Sequence, residues 1–329
     1  MKIIVDAFGG DNAPLEILKG CAMAVEEYGY SILLTGNEDV IRRVARENDI
    51  SLRSMEIVHA TEVIEMTDHA DAVLKTKKDS SLSVAMRLLS EGKGDALVSA
   101  GSTGAVVVGG TLLVKRIKGV KRPALAPVMP NSEGSFMLID CGANVECRPE
   151  MLVQFAKMGS IYMEKVLGYS NPRVGLANVG TEETKGDELR LKTYALLKES
   201  SLNFVGNVEA REIPGNAAEV IVTDGFTGNI ILKLYEGVAI HLMGKVKSVL
   251  LKNIKTKLAA SVINKDMKRM RQELDYNAYG GAALMGTARP VFKAHGSAKA
   301  TTMKNAIRLT ATFVEGKVIE EIERALSEK

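Results

Sequence analysis

From Lys2 to Thr223, short apolar runs rich in β-branched residues alternate with stretches of helical periodicity. Each strand of such a chain is carried back by a crossover helix, which builds a mostly parallel sheet with helices on both faces. The pattern predicts strands at Ile3–Val5, Ser31–Thr35, Met55–Val58, Ala96–Ser99, Ala124–Val128, Ser135–Ile139, Arg173–Ala177, Asn203–Gly206 and Val220–Thr223. Between them it predicts helices near Pro14–Tyr28, Glu38–Glu47, Ser81–Gly92, Thr103–Ile117, Pro149–Val166 and Gly186–Lys198. The expected class is therefore α/β, three layers deep, with its ligand site beyond the carboxyl ends of the strands.

After Thr223 the pattern changes. Residues 227–263 read as one very long helix or two in series, and another helix is expected near Asp266–Tyr276. GGAALMG follows, then a strand near Val291–Lys293 and closing helices from about Ala298 to Ser327. No internal repeat or clear linker divides the chain, so residues 1–329 read as one domain with 237–276 as a projecting helical hairpin.

Charge is unevenly spread. Nine Lys/Arg against the single Asp266 lie between Lys245 and Arg271, so this segment carries +8 of a net +3 and leaves −5 elsewhere. Beside those lysines, Met243, Val246, Leu250, Ile254, Leu258 and Val262 recur at helical spacing. An amphipathic basic hairpin suits an anionic membrane surface or an acidic protein, and the same stripe could equally pack in a dimer or core. With 5% aromatics and no Trp, stacking platforms for nucleic acid are lacking, and a nucleic-acid partner is not expected. Cys21, Cys141 and Cys147 have no metal-ligand spacing, and His59, His69, His241 and His295 do not cluster, so no metal or cofactor is expected. Three unpaired thiols, no signal-peptide pattern and no apolar run of membrane-span length point to the cytoplasm.

Five strands run into small-residue turns: IIVDAFGGD (3–11), LVSAGSTGA (97–105), LIDCGAN (138–144), LANVGTEETKGDE (176–188) and IVTDGFTGN (221–229). Gly lets backbone approach a ligand, and a following helix offers unpaired N–H groups to phosphate. One such turn is commonplace in α/β proteins; five carrying Asp, Asn, Ser, Thr or Lys read as the rim of an active site. Candidate binding residues are Asp6, Gly9, Gly10, Ser99, Gly101, Ser102, Thr103, Gly104, Asn144, Asp224, Gly228 and His295, with Ser99–Gly104 the best phosphate cradle. Neither P-loop nor GxGxxG spacing occurs, which disfavours nucleotide hydrolysis and dinucleotide binding. Lys185 could aim a cation at phosphate or an oxyanion, or be a solvated surface lysine. Asn229 could donate to a carbonyl or phosphate oxygen. Asp224 could orient Lys185 or another donor, or simply cap the helix that follows. His295 could bind phosphate, act as acid or base, or sit in an ordinary loop. No nucleophile elbow or Cys–His pair appears, so a covalent acyl-enzyme is not expected.

DAFGGDNAP, SAGSTGA, RPALAPVMP, LIDCGANVECRPE, NVGTEETKGDE, FVGNVEAREI, DGFTGNIILKLYEG, YGGAALMG and KAHGSA together resemble, in order and spacing, the signature stretches of the bacterial phosphate acyltransferase family PlsX. The resemblance runs from Lys2 to about Thr310, with departures at Phe8, Ser102, Ala298 and Thr287–Pro290. It implies transfer of an acyl group from acyl-acyl-carrier protein to inorganic phosphate, giving acyl phosphate for phospholipid synthesis. It implies a fold like the isopropylmalate and isocitrate dehydrogenases and phosphotransacetylases, a homodimer, and peripheral membrane association through the hairpin. The stripe residues Leu250, Ile254 and Leu258 are then the expected membrane contacts, and Lys185 and Asn229 the pair that acts on phosphate and thioester carbonyl. Alternatives are a CoA-dependent phosphate acetyl- or butyryltransferase and a non-enzymatic membrane scaffold.

Overall fold

Alternate residues of β1 (Lys2–Asp6) go to opposite faces: Ile3 and Val5 join one core and Ile4 another, as period-two geometry requires. In this computed structural model, which describes residues 1–273 and 279–327, the same division extends across the whole sheet. The other strands are β2 (Ser31–Gly36), β3 (Met55–His59), β4 (Ala96–Ser99), β5 (Ala124–Asn131), β6 (Gly134–Ile139), β7 (Val174–Asn178), β8 (Phe204–Glu209), β9 (Val220–Val222), β10 (Ala282–Met285) and β11 (Val291–Lys293). They form one sheet in the order β3-β2-β1-β4-β11-β10-β5-β6-β9-β7-β8.

Parallel pairing dominates, as predicted, and the exceptions are informative. β10 runs antiparallel to both β11 and β5, and β5 runs antiparallel to β6. The sheet therefore comprises two parallel blocks of opposite sense, β3-β2-β1-β4-β11 and β6-β9-β7-β8, with the reversal at β10 and β5. The sequence pattern did not mark β10, because Ala-Ala-Leu-Met has no β-branched residue to separate a strand from a helix turn.

The helices are α1 (Leu15–Tyr28), α2 (Glu38–Glu47), α3 (Ser81–Ser90), α4 (Thr103–Gly109), α5 (Pro149–Leu167), α6 (Glu188–Lys198), α7 (Gly225–Leu250), α8 (Ile254–Glu273), α9 (Ala300–Glu315) and α10 (Val318–Ser327). Residues of α1, α2, α5, α6, α9 and α10 share the core on one face, and α3 and α4 pack on the other. Gly20 lets α1 and α9 cross closely, since a Cβ there would lie 2.5 Å from that of Met303.

The long segment after Thr223 breaks elsewhere than expected. Asn253 accepts a hydrogen bond from the Thr256 amide at 3.0 Å, and its own amide donates to Thr256 Oγ1 at 3.0 Å. This reciprocal cap starts a new helix and ends α7 at Leu250, so the expected division near residue 264 is wrong. The end of the expected helix, residues 274–276, lies outside the described residues. The apolar stripe is split by the same turn. Met243, Val246 and Leu250 are half-buried on α7, whereas Ile254, Leu258 and Val262 on α8 are 77%, 64% and 83% exposed. Among the described residues no helix is long and apolar enough to cross a membrane.

Candidate active site

Each parallel block ends in a cluster of interlocked turns. In the first, the Ser99 hydroxyl donates to Asp6 Oδ2 at 2.7 Å and accepts the Gly101 amide at 3.0 Å, while Asp6 Oδ1 accepts the Phe8 amide at 3.3 Å. Asp6 is buried, and desolvation raises its carboxyl pKa against the pull of these donors. Gly9 is required by this crowding, since a Cβ there would stand 2.6 Å from Asp6 Oδ2 and from the Gly101 nitrogen. The turn after β11 closes onto the same cluster: the Asp11 amide donates to Gly296 O, and Asn12 Nδ2 to Ser297 O and Ala298 O.

In the second cluster Asp140, just after β6, is wholly buried. Its Oδ1 accepts from the amides of Leu125 and Ala143, and its Oδ2 from the amide and carboxamide of Asn144, at 2.6–3.2 Å. Burial pushes its carboxyl up to about 6, an effect those four donors only partly offset. Asn144 also donates to Pro123 O, and its carbonyl accepts the Gly225 amide, tying this turn to the start of α7. Asp224 caps α7 by accepting from the Thr227 amide at 2.9 Å and hydroxyl at 2.8 Å. It also pairs with Arg190, whose other nitrogen binds Asp187, the cap of α6. Burial tends to raise the Asp224 carboxyl pKa, but the Thr227 and Arg190 contacts outweigh it and hold the group below its ordinary range.

Between the clusters lies a pocket of about 140 Å³, room for roughly five waters. Its apolar wall comes from Leu125, Pro127, Val128 and Met129 of β5, with Leu232 of α7. Its polar lining comes from Thr103, Asn229, Lys233, Glu236, Lys293, His295 and Thr302. Lys233 pairs with Glu236 at 3.1 Å. His295 Nδ1 meets the Ser297 hydroxyl at 2.8 Å and accepts the Ser297 amide at 3.2 Å. Burial, with Lys233 and Lys293 nearby, lowers the His295 pKa although Glu236 pulls the other way, which keeps the ring neutral near pH 7.

Of the sequence-predicted residues, Asn229, Thr103 and His295 reach this pocket. The Ser99 hydroxyl, Asp6 and the Gly101 amide bond one another and so take up part of the expected Ser99–Gly104 cradle. Asn144 and Asp224 are likewise bound into the scaffold; Asp224 caps α7 and orients another donor, Arg190, not Lys185. Gly10 packs on Gly296 and Ala100, and Gly104 on Ala70. Gly228 serves packing, because a Cβ there would meet Asp140 O at 1.9 Å. Ser102 precedes α4 without a side-chain capping bond. Lys185 sits exposed on the turn after β7, outside the pocket lining and without an ion pair among the described residues. That turn neighbours the start of α7, since β7 and β9 are paired and Asp187–Arg190–Asp224 links them. Sequence reading missed Lys293, Lys233 and Glu236. A lysine closing the apolar run Val-Phe-Lys was the available signal for the first.

Residues 1–321 match the family described as fatty acid synthesis protein. A phosphate acyltransferase of Clostridioides difficile is 45% identical over 328 residues, covering 99% of this chain and 96% of that protein. One of Alkaliphilus oremlandii is 46% identical over 327 residues, covering 99% and 98%. Among solved structures, an EutD phosphotransacetylase from Staphylococcus aureus superposes with a TM-score of 0.61 at 17% identity, covering 95% of this chain and 94% of that one. A 4-hydroxythreonine-4-phosphate dehydrogenase from Klebsiella pneumoniae gives 0.52 at 13%, covering 95% and 98%. At such identities these structures attest the fold alone.

Proposed function

The chain belongs to the fatty acid synthesis protein family, with relatives named phosphate acyltransferase, and from that premise we propose that it transfers the acyl group of acyl-acyl-carrier protein to inorganic phosphate. The observation that carries this reading is one pocket joining hydrogen-bond donors and a lysine to an apolar wall, which suits a phosphate beside an acyl group.

A phosphate oxygen forms a bond to the thioester carbon, and the C–S bond breaks with its electron pair leaving on sulfur as thiolate. The thiolate takes a proton from solvent; no redox step is involved. Phosphate needs positioning more than activation. Asn229 donates to the carbonyl oxygen as charge collects there, and Lys185, on the adjoining turn, brings a positive charge toward the reacting groups. The thiolate is a good leaving group, so His295 is not needed as a strong acid.

The acyl phosphate would feed phospholipid synthesis. The basic hairpin offers a surface to the acidic carrier protein and to anionic lipid, and its exposed apolar residues suit peripheral membrane attachment and a homodimer in the cytoplasm. The test is phosphate-dependent consumption of long-chain acyl-carrier protein beside acyl-CoA. Rapid turnover of the carrier thioester with formation of acyl phosphate is expected. Preference for short acyl-CoA would replace this reading with phosphate acetyl- or butyryltransfer, and no phosphate-dependent turnover with either would leave a scaffold.

A further inference from the structure

Lys293 closes β11 and is 8% exposed, yet it makes no ion pair among the described residues. Its ammonium donates only to main-chain carbonyls, Ala100 O at 3.4 Å and Ala294 O. Burying a cation without a counter-ion is costly unless a bound anion completes it. Around it, Lys233 and Glu236 of α7 neutralise each other, and Asp6 is committed to Ser99 and Phe8. Asp11 is exposed, and His295 is biased toward its neutral form. Among the described residues the pocket thus retains one uncompensated positive charge, at Lys293.

We propose that Lys293 is the phosphate-binding cation of the pocket, holding inorganic phosphate beside Asn229 while Lys185 acts from the rim. The assignment rests on the acyl-transfer reading for its role in turnover, but not for the binding itself. Burial, then the repulsion of Lys233, depresses the Lys293 pKa to about 8, against the weaker pull of Asp11 and Asp6. The ammonium is therefore charged at neutral pH and loses its proton just above it.

The experiment uses the full chain with inorganic phosphate as probe. Lys293→Met should raise the KM for phosphate at least tenfold while moving the KM for acyl-carrier protein less than threefold. Without phosphate the variant should melt above the wild type, since a buried unpaired charge is gone; adding phosphate should raise the Tm of the wild type only. A variant with wild-type phosphate KM and wild-type phosphate-induced Tm shift would overturn the assignment. Should the Met variant not fold, the wild type decides. Its phosphate KM is expected to climb as pH rises through about 8, and a flat profile from pH 7 to about 9.5 would overturn the assignment. If the wild type shows no phosphate-dependent turnover, the acyl-transfer reading fails, and the Tm shift still tests Lys293 independently.

Discussion

The two turn clusters that flank the pocket look alike in sequence and differ in how their charges are balanced. Both place a buried aspartate at the end of a strand, Asp6 closing β1 and Asp140 following β6, and both use it to gather the donors of neighbouring turns. In the β6-β9-β7 cluster the charges are balanced, although the buried Thr223 hydroxyl beside them has no hydrogen-bond partner: Asp140 has four donors, and Arg190 lies between Asp187 and Asp224. In the β1-β4-β11 cluster Lys293 is left over, buried without a carboxylate partner among the described residues. Charged groups of the scaffold are paired within the protein, while a charge meant for a ligand stays unpaired until it arrives. Motif density alone does not separate the two.

That contrast can be broken by substitution. Asn229, on the second cluster but facing the pocket, should behave as ligand machinery. Asn229→Ala is expected to lower kcat by roughly 100- to 1000-fold, about 3 kcal/mol, with little change in Tm. Lys185→Ala should cut kcat by a similar or somewhat smaller factor without unfolding the chain; near-normal turnover would remove Lys185 from the mechanism. Asp140→Ala should act on stability instead. It strands four donors, one buried and three part-buried, and should cost about 3 kcal/mol in denaturant unfolding; a loss of activity at unchanged stability would move Asp140 from scaffold to site. Asp224→Ala should cost about 1 kcal/mol by the same measurement, as for a lost helix cap, because Arg190 keeps Asp187. Turnover should respond least to the hairpin. Replacing Leu250, Ile254 and Leu258 together with Ser should leave kcat in solution within about twofold while releasing the protein from anionic vesicles in a sedimentation assay.

Much of the fold was legible in the sequence because strands such as Ile3–Val5 and helices such as Glu38–Glu47 announce themselves locally, by β-branching, periodicity and caps. β10 was not, since four small or unbranched residues carry no period, and its antiparallel pairing is a tertiary fact. Nor was the end of α7, because the Asn253–Thr256 cap interrupts an otherwise continuous apolar spacing. At the site, the sequence marked the turns but not which of their polar groups would be used up inside the protein. Ser99 and Asp224 looked like ligands and proved to be bound to Asp6 and Arg190. Lys293 was only the last residue of a predicted strand. Its meaning depends on Ala100, Ala294 and α7 surrounding it, contacts that no local pattern encodes.

A crystal structure of the chain with inorganic phosphate tests the contrast most directly. Phosphate is expected in the pocket, within hydrogen-bonding distance of Lys293 Nζ and close to Asn229, with the Asp6–Ser99 and Asp224–Arg190 contacts unchanged. Phosphate bound instead on the Ser99–Gly104 turn, with Ser99 released from Asp6 and Lys293 still facing only carbonyls, would contradict it.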